Sequence, residues 1–151
     1  MGLDNGLRIK GKSVAGKVFL NKHCKDMKDE NSFTWYDFGY WRKCWSLRDR
    51  FLDVFKDKGY DGSGGEFTLT IADLIDVVEN VMKFFLEDED RWSEYGNGFT
   101  TGSIWAWHEG LRSIVNCIYN IREFLEDYQI ENADGADLSD DDFMIEFYDS
   151  Y

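Results

Sequence analysis

The sequence predicts an α+β domain: a small, mostly antiparallel sheet of three to four strands packed against three helices. Three observations carry this. Short segments of alternating apolar and polar residues stand near the start, the middle and the end of the chain. Between them lie three longer stretches whose apolar residues recur at three- and four-residue steps. The strands are also too few and too irregularly spaced for a doubly wound fold. With 151 residues, 1–151 reads as one domain. Its 6 Trp, 8 Tyr and 12 Phe supply a large share of the core.

Residues 5–10 alternate as Asn-Gly-Leu-Arg-Ile-Lys, a half-buried strand. Val18-Phe19-Leu20 is a second short strand, and the polar, lysine-rich run from Asn21 to Ser32 is a mobile loop. The first helix is expected over Asp37–Lys58. There Trp41, Cys44, Trp45, Arg48, Phe51, Leu52 and Phe55 form one face, and Gly59 is a natural stop. Arg48 interrupts that face, so either its stem packs or its charge has a partner. After the Gly62-Ser63-Gly64-Gly65 turn, Glu66–Thr70 alternates as a strand. Thr70 then stands as a helix N-cap with Asp73 three residues on, close to a capping box. The second helix carries Leu74, Ile75, Val77, Val78, Val81, Met82 and Phe85 and frays at Glu87–Asp90. Residues 93–102 are a loop. The third helix runs from about Ser103 to Tyr128 on the stripe Ile104, Trp107, His108, Leu111, Ile114, Ile118, Ile121 and Leu125. An acidic loop, 131–142, precedes a last strand with Phe143, Ile145 and Phe147 on one face.

Charge is unevenly placed. Residues 1–60 carry 13 Lys/Arg against 8 Asp/Glu, and residues 61–151 carry 4 against 22, giving +5 and −18. A surface this acidic repels nucleic-acid phosphates, so direct nucleic-acid binding is not expected outside the first sixty residues. No apolar run is long enough to span a membrane. Cys24, Cys44 and Cys117 are odd in number and scattered, which reads as reduced thiols in a cytoplasmic protein.

Several chemistries fail on spacing. With Gly62 sixth in a calcium loop, Gly59 falls third and Thr68 twelfth; with Gly135 sixth, Ile130 falls first. Asp140-Asp141-Asp142 is therefore a solvated acidic loop. His108-Glu109 opens a zinc helix motif, but Arg112 occupies the second ligand position, and His108 reads as a core histidine. His23, Cys24 and Cys44 are a weak set for a metal. The glycine loop 59–65 lacks the phosphate-loop lysine and carries Asp61, with Glu66 following. No nucleophile elbow accompanies the two histidines. The sequence assigns no catalytic residue, no metal and no cofactor.

The unusual stretch is Trp35-Tyr36-Asp37-Phe38-Gly39-Tyr40-Trp41-Arg42-Lys43-Cys44-Trp45. Its rings either anchor the first helix in the core or, with Arg42 and Lys43, form an aromatic and cationic binding site. As a site it comprises Asp4, Trp35, Tyr36, Tyr40, Trp41, Arg42 and Lys43.

Four segments carry a resemblance: Met1-Gly2-Leu3-Asp4, Gly39-Tyr40-Trp41-Arg42-Lys43, Gly64-Gly65-Glu66-Phe67 and the C-terminal Phe147-Tyr148-Asp149-Ser150-Tyr151. In this order they resemble a group of small acidic bacteriophage proteins. The resemblance brings no catalytic residue. It implies a phage accessory product in bacterial cytoplasm. The first functional expectation is a non-enzymatic binder of a host bacterial protein, an inhibitor of a defence or nucleic-acid enzyme, with acidic nucleic-acid mimicry as one form of it. The alternatives are a small-molecule or nucleotide site around Trp41 and Arg42, and a small homo-oligomer built through an apolar patch.

Overall fold

A computed structural model describes residues 4–42, 44–86 and 104–150, and of residues 45–46, 85–86 and 104–111 the backbone alone. The alternation of the first segment becomes β1 (Asp4–Gly11), with Asn5, Leu7 and Ile9 buried. It pairs antiparallel with β2 (Tyr36–Arg42) on one side and β4 (Phe143–Ser150) on the other; β4 also pairs with β3 (Gly65–Leu69), giving the order β2-β1-β4-β3. The register sets Leu7 against Phe147, Ile9 against Ile145, Phe67 against Phe147 and Leu69 against Ile145. Because side chains alternate with period two, apolar residues meet apolar residues on one face, up to the strand ends where Asn5 stands against Asp149. A bulge in the β1–β2 pair, between Leu7 and Arg8, matches Leu7 to Gly39 and Arg8 to Asp37 and leaves Phe38 over. The phase of β2 slips there, so Tyr36 and Phe38 are buried before it and Trp41 after it.

The helices cover that apolar face. α1 (Val14–His23) is capped by Ser13, whose hydroxyl accepts from the Gly16 N–H and donates to Asp142 Oδ1 at 2.6 Å. Its Phe19 packs edge-on against Phe124 and Phe143. α2 (Trp45–Phe55) buries Leu47, Phe51 and Phe55. α3 (Ile71–Asp76) starts at the expected capping box: Asp73 N–H donates to Thr70 Oγ1, and Thr70 N–H donates to Asp73 Oδ2. It continues through a π-helical stretch, Val77–Met82, into a last turn, Lys83–Leu86. The Asn80 carbonyl accepts from Arg50 Nε of α2 at 2.8 Å. α4 (Ile104–Ala133) contributes Ile114, Cys117, Ile118, Ile121 and Phe124 to the core. Among the described residues, no helix is long and apolar enough to cross a membrane.

The expected fold class stands, with one helix more. Val18–Leu20 is not a strand but part of α1, and the expected loop from Asn21 begins as helix and includes a 3₁₀ turn, Lys25–Met27. The expected helix from Asp37 begins only at Trp45, because residues 36–42 pair with β1. Strand pairing and burial of Tyr36, Phe38 and Trp41 outweigh the three- and four-residue spacing. The expected fraying at Glu87–Asp90 and the expected loop at 93–102 lie outside the described residues, as does the side chain of His108.

Candidate functional site

The opposite face of the sheet carries a row of long side chains. β1 contributes Asp4, Arg8 and Lys10, β2 contributes Tyr40 and Arg42, and β4 contributes Glu146 and Tyr148, by the same period of two that buries their neighbours. Arg8 is the hub. Its guanidinium lies 4.1 Å from the centre of the Trp35 ring and 4.8 Å from that of Tyr148, and its Nη2 reaches Glu146 Oε2 at 3.0 Å. The Lys10 ammonium lies over Trp35 as well, at 4.8 Å. Tyr148 stacks on Tyr40 with ring centres 6.4 Å apart. The Tyr40 hydroxyl donates to Asp4 Oδ1 at 3.0 Å, and Arg42 Nε stands 3.3 Å from the same oxygen.

Gly6 makes this row possible. A Cβ there would sit 2.2 Å from atoms of the Tyr148 ring, so the ring lies flat over the strand only because residue 6 has no side chain. Burial pushes the Tyr148 phenol above its ordinary range. Burial also pushes the Asp37 carboxyl, on the same face, up to about 6; Asp29 adds to the rise and Arg8 opposes it.

The strand divides the residues the sequence grouped together. Asp4, Trp35, Tyr40 and Arg42 come together on the open face. Tyr36 and Trp41 are buried on the other side, Trp41 against Phe51, and Lys28 lies over the Tyr36 ring. Trp41 is 3% exposed and Tyr40 47%, though they are neighbours in the chain. Trp41 and Arg42 therefore do not line one pocket. Lys43 lies outside the described residues. Arg8, Lys10, Glu146 and Tyr148 were missed, although the alternation of 5–10 and of 143–148 already sets them opposite the apolar face.

Other candidates resolve into structural roles. Burial pushes the Cys24 and Cys44 thiols up to about 12 and raises Cys117 further, which keeps all three protonated and poorly nucleophilic near neutral pH. His23 sits between Glu131, 2.8 Å from Nε2, and Asp127, 3.4 Å from Nδ1. Among the described residues, no three His, Cys, Asp or Glu side chains gather to hold a metal. The acidic run is a 3₁₀ turn, Asp140–Asp142, whose carboxylates satisfy backbone donors: Asp140 Oδ1 accepts from Ile71 N–H at 2.7 Å and Asp142 Oδ2 from Ser139 N–H at 2.8 Å.

The fold and this face together define an antiparallel α+β domain with helices on one side of its sheet and an aromatic and cationic row on the other. No protein-family model matches the chain, and no curated protein or solved structure shows significant similarity to it.

Proposed function

We propose that the chain is a phage accessory protein that binds and modulates a host bacterial protein, and that the open sheet face is the contact. The observation that supports this reading is the row Trp35–Arg8–Tyr148–Tyr40–Arg42, with both arginines held by carboxylates. Tyr, Trp and Arg dominate binding hot spots, and side chains already fixed by their neighbours lose little entropy on association. At the contact the cations of the row favour aromatic or acidic groups of the partner, while the −18 of residues 61–151 would draw a partner whose remaining surface is basic.

The test uses the purified full chain mixed with bacterial lysate and recovered for native mass spectrometry. The double variant Tyr40→Ala/Arg42→Ala should lose a stoichiometric host protein at least ~10-fold relative to the unaltered chain. Its unfolding free energy should fall by no more than ~1 kcal/mol, because the Arg42 side chain is 68% exposed and its ion pair with Asp4 is solvent-screened. Tyr119→Ala, an exposed ring on α4, should retain the partner. Equal recovery by the double variant, or no stoichiometric protein with the unaltered chain, would remove this reading.

A further inference from the structure

Beside the open face lies a cleft of about 320 Å³, lined by Lys10 at the end of β1, Lys17 on α1, Lys28, Phe33, Thr34 and Tyr36. All three lysines come from the basic first sixty residues, and together they line one recess. Lys22, Lys58 and Lys83 each meet a carboxylate. Among the described residues, Lys10, Lys17 and Lys28 form no carboxylate ion pair; Lys10 lies over Trp35, and Lys28 lies over Tyr36 and donates to the Phe33 carbonyl. An anion in the recess would offset their positive charge. The Phe33 ring is fully exposed at the rim, and Thr34 adds a hydroxyl. The volume lies at the lower end of the range for small-molecule sites, roughly 300–1,000 Å³.

We propose that this cleft binds a nucleotide, with its phosphate among Lys10, Lys17 and Lys28 and its base against Phe33. The cleft shares Lys10 with the open face but not Tyr40 and Arg42, whose substitution tests the protein-binding reading. Calorimetric titration of the full chain with AMP, inorganic phosphate and adenosine tests it. AMP should bind at least ~10-fold more tightly than either fragment, and more weakly as salt rises. Lys17→Gln should weaken AMP ~10-fold while Lys17→Arg retains it, with thermal melting unchanged in both, since Lys17 is an exposed position on α1. Phe33→Ala should weaken AMP and leave phosphate unaffected. Phosphate binding as tightly as AMP would overturn the nucleotide assignment in favour of a simple anion site. No AMP binding at millimolar concentration, or equal binding by Lys17→Gln, would overturn the site itself.

Discussion

Asp37 stands on the open face between opposing influences, Arg8 across the strand pair and Asp29 nearby. Its folded carboxyl, raised to about 6, keeps a proton that an unfolded chain has already released near pH 4. The folded state thus binds more protons than the unfolded state in this window. Asp37 therefore erodes stability as pH rises from about 4 to about 6, and the loss is complete above that. Asp37→Asn should raise the unfolding free energy by roughly 1 kcal/mol at pH 7.5, after allowance for solvent screening, and change little at pH 4. Urea unfolding of both proteins at the two pH values checks this, and an equal effect at both would exclude a titration origin. This residue was also hidden by a misread period. Trp41, Cys44, Trp45 and Arg48 recur as a helix face recurs, and that spacing alone puts Asp37 on a helix. Only the partner strand β1 reveals that Asp37, Tyr40 and Arg42 share one face and Tyr36 and Trp41 the other.

At the scale of elements, legibility followed the strength of local chemistry. Thr70 and Asp73 formed the reciprocal cap their spacing implied, because both bonds lie within four residues. β1, β3 and β4 were legible from alternation that coincides with burial. α1 was not. Its ten residues bury only Gly16, Phe19 and Leu20 and leave Val14 and Val18 exposed, so apolar spacing marks no single face. What fixes α1 is a contact distant in sequence, where Gly16 meets the turn before β4. A Cβ on Gly16 would lie 2.0 Å from the Asp142 carbonyl oxygen, which is backbone and already accepts from Lys12 N–H. Gly16→Ala should therefore cost about 3 kcal/mol despite the better helix propensity of alanine. Gly6→Ala displaces only the far end of the Tyr148 side chain and should cost nearer ~1 kcal/mol. Paired denaturation curves measure the difference, and the reverse order would show that α1 can slide away from the turn.

Across the whole molecule, one buried ion pair ties the parts together and answers the question Arg48 raised in the sequence. Its Nε and Nη2 reach the two oxygens of Asp149 at 2.7 and 2.9 Å, and Nη2 also reaches the Gly62 carbonyl. Tyr60 donates to the same carboxylate at 2.6 Å and Asn5 at 2.7 Å. α2, β1, β4 and the 60–64 loop are joined at a single buried group. Burial alone would raise the Asp149 pKa, but the bonds from Arg48, Tyr60 and Asn5 bring it below the usual carboxylate range. With the folded value depressed, this stabilisation is present above about pH 4 and is lost as pH falls through the folded value. Asp149→Asn leaves Arg48 buried without its counter-charge and should cost about 3–5 kcal/mol at pH 7. The deficit should shrink as pH falls below about 4, as acid titration followed by circular dichroism would show; a constant deficit would place the cost in packing instead.

The strand order has a consequence for how the sheet assembles. β4 follows β1, β2 and β3 along the chain, yet it lies between β1 and β3 and supplies hydrogen-bond partners to both. Until it docks, the sheet is at most the β1–β2 ribbon, and Leu7, Ile9 and Leu69 lack the neighbours Phe147 and Ile145. Closing a loop between β1 and β4 of nearly the whole chain is entropically slow. The sheet is thus completed late in folding, and until then β1 and β3 present unpaired edges and apolar side chains to other copies of the chain.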